Sequence, residues 1–338
     1  LFGDVLDGGD GIDQVKANVA GTVTLSDADL VASGLTDVLS NIETASLTGS
    51  AGDDDIDATS FTGSATIVGG AGNDTITGAA GASLLNGNNG NDVITGQAEN
   101  DSLLGGAGND TLDGGDGDDR VNGNDGDDSI DGGLGNDTIT GDGGRDNING
   151  GADDDKIDAG AANDTVFGEG GADNILGGTG LDSIEGGDGD DTLNGNADND
   201  RIEGGEGNDQ VLGGAGSDVL LGENGDDSLN SQGGNDTMIG GNGGDDDGDD
   251  TLVGGAGNEL MFGGDGNDSM NGGAGNDTII GDDGDDIILG GAGNDLCLGG
   301  LGGDDSINGQ SGRDTVSGGG DQDAVADGDP GARVDAGI

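Results

Sequence analysis

The sequence contains no Trp, Tyr or His, one Pro, one Cys and only 7 Lys and Arg residues. Each shortage removes a class of protein. Without His, no Ser–His or Cys–His nucleophile pair can be assembled, and an enzyme is not expected. Seven basic residues against 72 acidic ones, a formal charge of −65, exclude nucleic acid as a partner and disfavour anionic membrane surfaces. No apolar run approaches the roughly 18 residues that span a bilayer, so membrane insertion is not expected either. The lone Cys297 has no internal disulfide partner. With only four Phe and 29% apolar residues, the composition is that of a disordered chain.

What is present contradicts disorder. In GGAGNDTLDGGDGDDRVNGNDGDDSIDGGLGNDTIT (105–140) one aliphatic returns every nine residues: Leu112, Val121, Ile130, Ile139. A disordered chain has no reason to keep such a register. From Gly69 to Ile239 the chain divides without a gap into nineteen nonapeptides. Position 1 is Gly in seventeen of them, position 4 is Gly in fifteen, position 6 is Asp in eighteen and position 8 is aliphatic or Met in all. Cys297 falls on position 8, where a small buried hydrophobe fits better than a reactive thiol.

Five residues, 240–244, interrupt the register before it resumes at Asp245, and Gly299 is a single insertion. The expected organisation is a repeat-like start at 1–16, an irregular solenoid or cap segment at 17–68, a regular roll at 69–239, the inserted loop 240–244, a continued roll at 245–326 and a decayed repeat at 327–338. Because the chain opens on Leu1, part-way through a repeat, it is read as a processed chain or a fragment. Within the irregular segment, TVTL (22–25) alternates like a strand. Ser26 with Asp29 has the spacing of a capping box opening a short helix over LVAS.

The period sets the expected geometry. Six residues of Gly, Asn and Asp suit a turn, and three residues around an aliphatic suit a minimal strand. Position 8 then points inward and positions 7 and 9 outward. Two such units close a coil of eighteen residues, and coils stack as parallel strands about 4.8 Å apart. The expected fold is all-β, a parallel β-roll.

Stacking aligns the aspartates into two rails. One runs Asp74, Asp92, Asp110, Asp128, Asp146, Asp164, Asp182, Asp200, Asp218 and Asp236; the other Asp101, Asp119, Asp137, Asp155, Asp173, Asp191, Asp209 and Asp227. Asp13 and Asp54 occupy the same position before the regular region. Asp250, Asp268, Asp277, Asp286, Asp295, Asp305, Asp314 and Asp323 occupy it afterwards. Neighbouring charges about 4.8 Å apart repel by roughly 3.5 kcal/mol at an effective dielectric of 20. A counterion is therefore required between coils. Carboxylates from stacked turns, completed to six or eight oxygens by turn carbonyls, describe multiple calcium ions. Zinc and copper would need His or Cys. At position 5, Asn73, Asn91 and Asp118 are read as turn formers rather than ligands.

Runs such as GGAGNDTIT (69–77), GGAGNDTLD (105–113) and GGAGNDTII (272–280) resemble the RTX or hemolysin-type calcium-binding nonapeptide. The resemblance covers about residues 49 to 326. It implies a parallel β-roll with calcium held by position-6 aspartates and turn carbonyls. It also implies secretion as an unfolded chain, often through a type I exporter, and folding in external calcium. Ser83 and Glu259 in place of Asp, and Asp153 and Ala162 in place of the fourth-position Gly, depart from the motif, so weaker binding is expected there. The functional expectation is a secreted, extracellular structural protein: a rod, surface layer or fibre subunit that associates with itself head to tail. The alternative is an accessory module of a secreted enzyme or toxin.

Overall fold

The computed structural model describes residues 5–7, 9, 11–32, 35–241, 248–320, 322–326 and 333–335. The chain forms two compact units, Leu1–Val166 and Phe167–Ile338. Each is an all-β parallel solenoid, and no helix occurs among the described residues.

In the first unit the regular strands are longer than the three residues expected. Thr111–Asp116 and Ser129–Leu134 each run six residues, from position 7 of one nonapeptide to position 3 of the next. They pair in parallel with an offset of eighteen, Leu112 opposite Ile130 and Gly115 opposite Gly133. The extra length comes from the glycine pair, whose backbone continues the ladder past the aliphatic. Only positions 4 to 6 are left to turn. Gly115, at position 2, takes a φ of 105°, and Gly117, at position 4, a φ of 137°, where a Cβ would be strained. Asn124 and Asp142 hold position 2 at φ 75° and 69°, as short polar side chains can. At position 4, Asp153 and Ala162 keep φ at 77° and 94°, so those turns hold their shape against strain.

Alternation along the strand buries position 8 and position 1 together. Ile94, Leu112, Ile130 and Ile148 stack as one inner column, and Leu103, Val121, Ile139 and Ile157 as the facing one, each at most 2% exposed. Burying each aliphatic contributes about 1.5–3 kcal/mol.

The segment before the regular coils departs from the expected short helix. Thr22–Ser26 is a strand, as the alternation predicts, but Asp29–Ala32 is a strand as well. It runs antiparallel to Thr22–Ser26 and to Leu35–Ser40. Ser26 Oγ accepts from the N–H groups of Ala28 and Asp29, capping a hairpin turn rather than a helix. The reason is burial: Leu30 and Ala32, two residues apart, are each 2% exposed, which satisfies a period of two. Val5–Asp7 then pairs in parallel with Leu35–Ser40, and Thr22–Ser26 with Asp55–Ser60.

The second unit repeats the regular pattern. Across the inserted five residues the pairing offset becomes 23, with Ser228 opposite Thr251, and the ladder continues. Gly240 and Gly241, expected to open the inserted loop, instead continue the strand Thr237–Gly241, and Gly240 faces Asp250 Oδ2 as a position-1 glycine does. Residues 242–247, which include the expected restart at Asp245, and Pro330 lie outside the described residues. One extra residue gives an offset of 19, with Ile287 opposite Ser306. It is not Gly299 as expected, because Asp282 still pairs with Gly300 at an offset of 18 and Gly299 faces Asp305 Oδ2 as an ordinary position-1 glycine, so the insertion falls after Gly300. Cys297 is fully buried on position 8.

Candidate metal sites

The aspartate at position 6 ends each turn, and its side chain folds inward beneath the next strand. Every candidate from Asp54 to Asp314 is at most 4% exposed, whereas Asp13 and Asp323 are half-buried. From Asp74 to Asp164 each Oδ1 accepts the N–H of the position-6 residue one coil earlier, which is an aspartate everywhere except at Ser83. Asp74 donates to Asp92, Asp92 to Asp110 and Asp110 to Asp128, at 2.7 Å each. On the opposite rail Asp101 donates to Asp119 and Asp119 to Asp137, also at 2.7 Å. In the second unit Asp191 donates to Asp209 and Asp200 to Asp218 in the same way. The rails anticipated from the period are therefore hydrogen-bonded ladders.

The second oxygen is different. Oδ2 of Asp92, Asp110, Asp119, Asp137, Asp200 and Asp209 is buried with no hydrogen-bond partner. Its surroundings are electron-rich. A Cβ added to Gly105 would collide with Asp110 Oδ2 and crowd the carbonyl oxygen of Gly123, one coil on. Gly132 stands in the same relation to Asp137 Oδ2 and Gly150 O. Position 1 is thus Gly chiefly for space. It leaves a slot where a carboxylate oxygen and a carbonyl oxygen converge. An unpaired buried anion is costly, and a cation between these oxygens would relieve it.

Protonation is the other relief. Burial pushes the carboxyls of Asp101, Asp128, Asp200, Asp209 and Asp286 up to about 7, and those of Asp110, Asp137 and Asp295 up to about 6, against the pull of the donated N–H. Among the described residues, no three His, Cys, Asp or Glu side chains converge on one point. Any ion must therefore draw on backbone carbonyls as well as aspartates, and that oxygen-only donor set suits a hard cation such as calcium.

Several positions stand apart. Asp54 accepts from Gly21 N through Oδ1 and from Ser50 N through Oδ2, both at 2.5 Å, so protein donors engage both of its oxygens. Ser83 closes its own turn: Oγ accepts from Ala79 N–H at 3.1 Å and donates to Gly81 O at 3.1 Å. That turn is neutral and internally satisfied. Glu259 is 2% exposed with both carboxylate oxygens unpartnered, and burial together with the charge of Asp277 pushes it up to about 8. Ser231 replaces Gly at position 1, and its hydroxyl fills the slot by donating to Gly254 O at 2.8 Å.

Sequence reasoning missed a second ladder. At position 5, Asn73 Oδ1 accepts from Asn91 N–H and Asn91 Oδ1 from Asn109 N–H, at 2.9 and 3.0 Å. These side chains reach one coil forward, whereas the position-6 carboxylates reach one coil back. The frequency of Asn and Asp at position 5 was its visible trace.

A family model described as the RTX calcium-binding nonapeptide repeat matches the chain in overlapping stretches from residues 59–93 to 298–325. No curated protein matches at a significant level.

Proposed function

Because the chain belongs to the RTX calcium-binding nonapeptide repeat family, we propose that it is a secreted structural protein whose fold is completed by calcium. The observation that carries this reading is the set of buried, unpartnered Oδ2 atoms of Asp92, Asp110, Asp119, Asp137 and Asp209, each facing a main-chain carbonyl across a glycine-sized slot. Position-6 aspartates, from Asp74 through Asp323, would supply the carboxylates, with Asp13 at the start of the chain. The position-1 carbonyl of the adjoining coil would supply further oxygen. When bound, the ion neutralises the rails and ties one coil to the next, so binding and folding are one event. Asp54 and Ser83 lie at turns already satisfied by protein donors and would contribute least.

The family match indicates no catalytic family, and the reading is of a protein that bears load or spaces surfaces rather than one that turns over a substrate. External calcium, met after export of the unfolded chain, is the setting such a mechanism requires. Head-to-tail association through unpaired strand edges would extend the same ladder between chains. The test is a calorimetric calcium titration followed in parallel by circular dichroism and light scattering. Heat release, strand signal and compaction should rise over the same calcium range and reverse with chelator. The same strand signal and compactness in excess chelator at pH 8, where the rail carboxyls are ionised, would overturn the reading. Particles that stay monomeric at every concentration in calcium would remove the fibre role and favour an accessory module.

A further inference from the structure

On one sheet of the second unit, the outward position-9 residues change character abruptly. Glu185 pairs with Glu203, and Glu203 with Leu221. From there Leu221, Ile239, Phe262, Ile280 and Leu298 lie directly beside one another in consecutive parallel strands, before Ser317 ends the run. All five are partly exposed. The corresponding residues of the first unit are polar: Thr77, Thr95, Asp113, Asp131 and Asn149. The other sheet of the second unit never builds a continuous stripe, because Leu212, Asn230, Val253, Asn271 and Leu289 alternate. An open groove of about 590 Å³ follows the stripe, with Leu221, Ile239 and Phe262 on its apolar side and Asp265, Asp282 and Asp283 on its rim.

We propose that this stripe is a docking surface for a cationic amphipathic helix of a partner polypeptide. Charge selects the partner. The rim is acidic, and Asp282 is crowded by Asp283 and Asp265, so a Lys- or Arg-flanked ligand gains where an acidic one is repelled. A second copy of this chain docked through the same face would set this acidic rim against its like. The neighbouring 242–247, Asn-Gly-Gly-Asp-Asp-Asp, offers neither an apolar nor a basic residue. Spacing selects the helix. Five rungs about 4.8 Å apart span about 19 Å, and a helix rising 1.5 Å per residue covers that in about 13 residues. Its pitch of about 5.4 Å sets nearly one apolar side chain over each rung, with the axis across the strands. Paired aliphatics on a sheet also stabilise it directly. That effect alone predicts substitutions that lower stability and leave docking unchanged.

The full chain in millimolar calcium is titrated with a 14-residue Leu/Lys peptide whose leucines form one helical face. The comparison is a peptide of equal composition in scrambled order. The amphipathic peptide should bind at least tenfold more tightly, and the preference should persist as salt is raised, because salt screens only the charge contribution. The combined variant Leu221→Thr, Ile239→Thr, Phe262→Thr, checked for calcium-induced folding, should abolish the preference. Leu212→Thr with Val253→Thr on the other sheet should not. If the triple variant fails to fold, Asp282→Asn with Asp283→Asn provides the test, and should weaken the peptide severalfold and flatten its salt dependence. Equal binding of the two peptides, an unaltered preference in the folded triple variant, or unchanged binding in the Asn pair would overturn the proposal. A calcium-dependent dimer abolished by the triple variant would overturn it in favour of a second copy.

Discussion

Acid should fold this protein when calcium is withheld, the reverse of ordinary acid unfolding. Burial raises the rail carboxyls from an ordinary 3.8 to about 7 at Asp101, Asp128, Asp200, Asp209 and Asp286, and to about 6 at Asp110, Asp137 and Asp295. A raised folded-state value means the fold binds protons more tightly than the unfolded chain. The resulting stabilisation is complete below about pH 4 and is lost as pH rises through 6 and 7. Within that window, each group protonated in the fold and ionised in the unfolded chain contributes about 1.4 kcal/mol per pH unit. Two such groups acting together already exceed the effect of most point mutations. In excess chelator, circular dichroism should show strand content growing as pH is lowered from 8 towards 4. Calcium reverses the sign. Protons and calcium compete for the same oxygens, so the calcium concentration at half-folding should climb as pH falls below about 7. A calcium-free strand signal that is flat between pH 4 and 8, or a calcium midpoint indifferent to pH, would refute the account of the rails.

Asp137→Ala removes the acceptor of Asp119 N–H and an unpartnered oxygen together. It should raise the calcium midpoint and lower cooperativity, whereas Thr138→Ala should shift stability by less than about 0.5 kcal/mol; equal midpoints would break the rail assignment. Gly132→Ala places a methyl against Asp137 Oδ2 and Gly150 O, so it should match the damage of Asp137→Ala in a calcium titration although no ligand is deleted. Ile139→Ala empties a fully buried inner position and should lower stability in calcium by about 2–5 kcal/mol, measured by denaturant unfolding. Cys297 is fully buried, and desolvation followed by the charge of Asp295 pushes its thiol up to about 12. A thiol reagent at neutral pH should therefore label it only after chelation; rapid labelling in calcium would mean that its coil opens while loaded.

The fold was legible wherever one residue type had one physical job. An aliphatic on every ninth residue has no use except a stacked inner column, and Leu112, Ile130 and Ile148 form it. The aspartate period likewise announced the rails, because residues eighteen apart in such a coil must be neighbours. Legibility failed where one residue type serves two purposes. Glycine was read as a turn residue, yet at Gly105 and Gly132 it keeps open the slot in front of a carboxylate. The glycine pair also lengthens strands such as Thr111–Asp116 and Ser129–Leu134 from three residues to six. Ser26 and Asp29 fit a helix cap by spacing, but a serine hydroxyl caps any turn that offers it two N–H groups. The burial of Leu30 and Ala32 decided between them. Ser83 shows why the aspartates matter. It holds the same place in its coil as Asp101 in the next and donates its N–H to Asp101 Oδ1 at 2.5 Å. Its hydroxyl satisfies its own turn without any charge. A fold needing only hydrogen-bonded turns could have used serine throughout. The chain instead repeats a buried carboxyl at nearly every turn, an arrangement that is costly when ionised and that a bound cation or a proton would relieve.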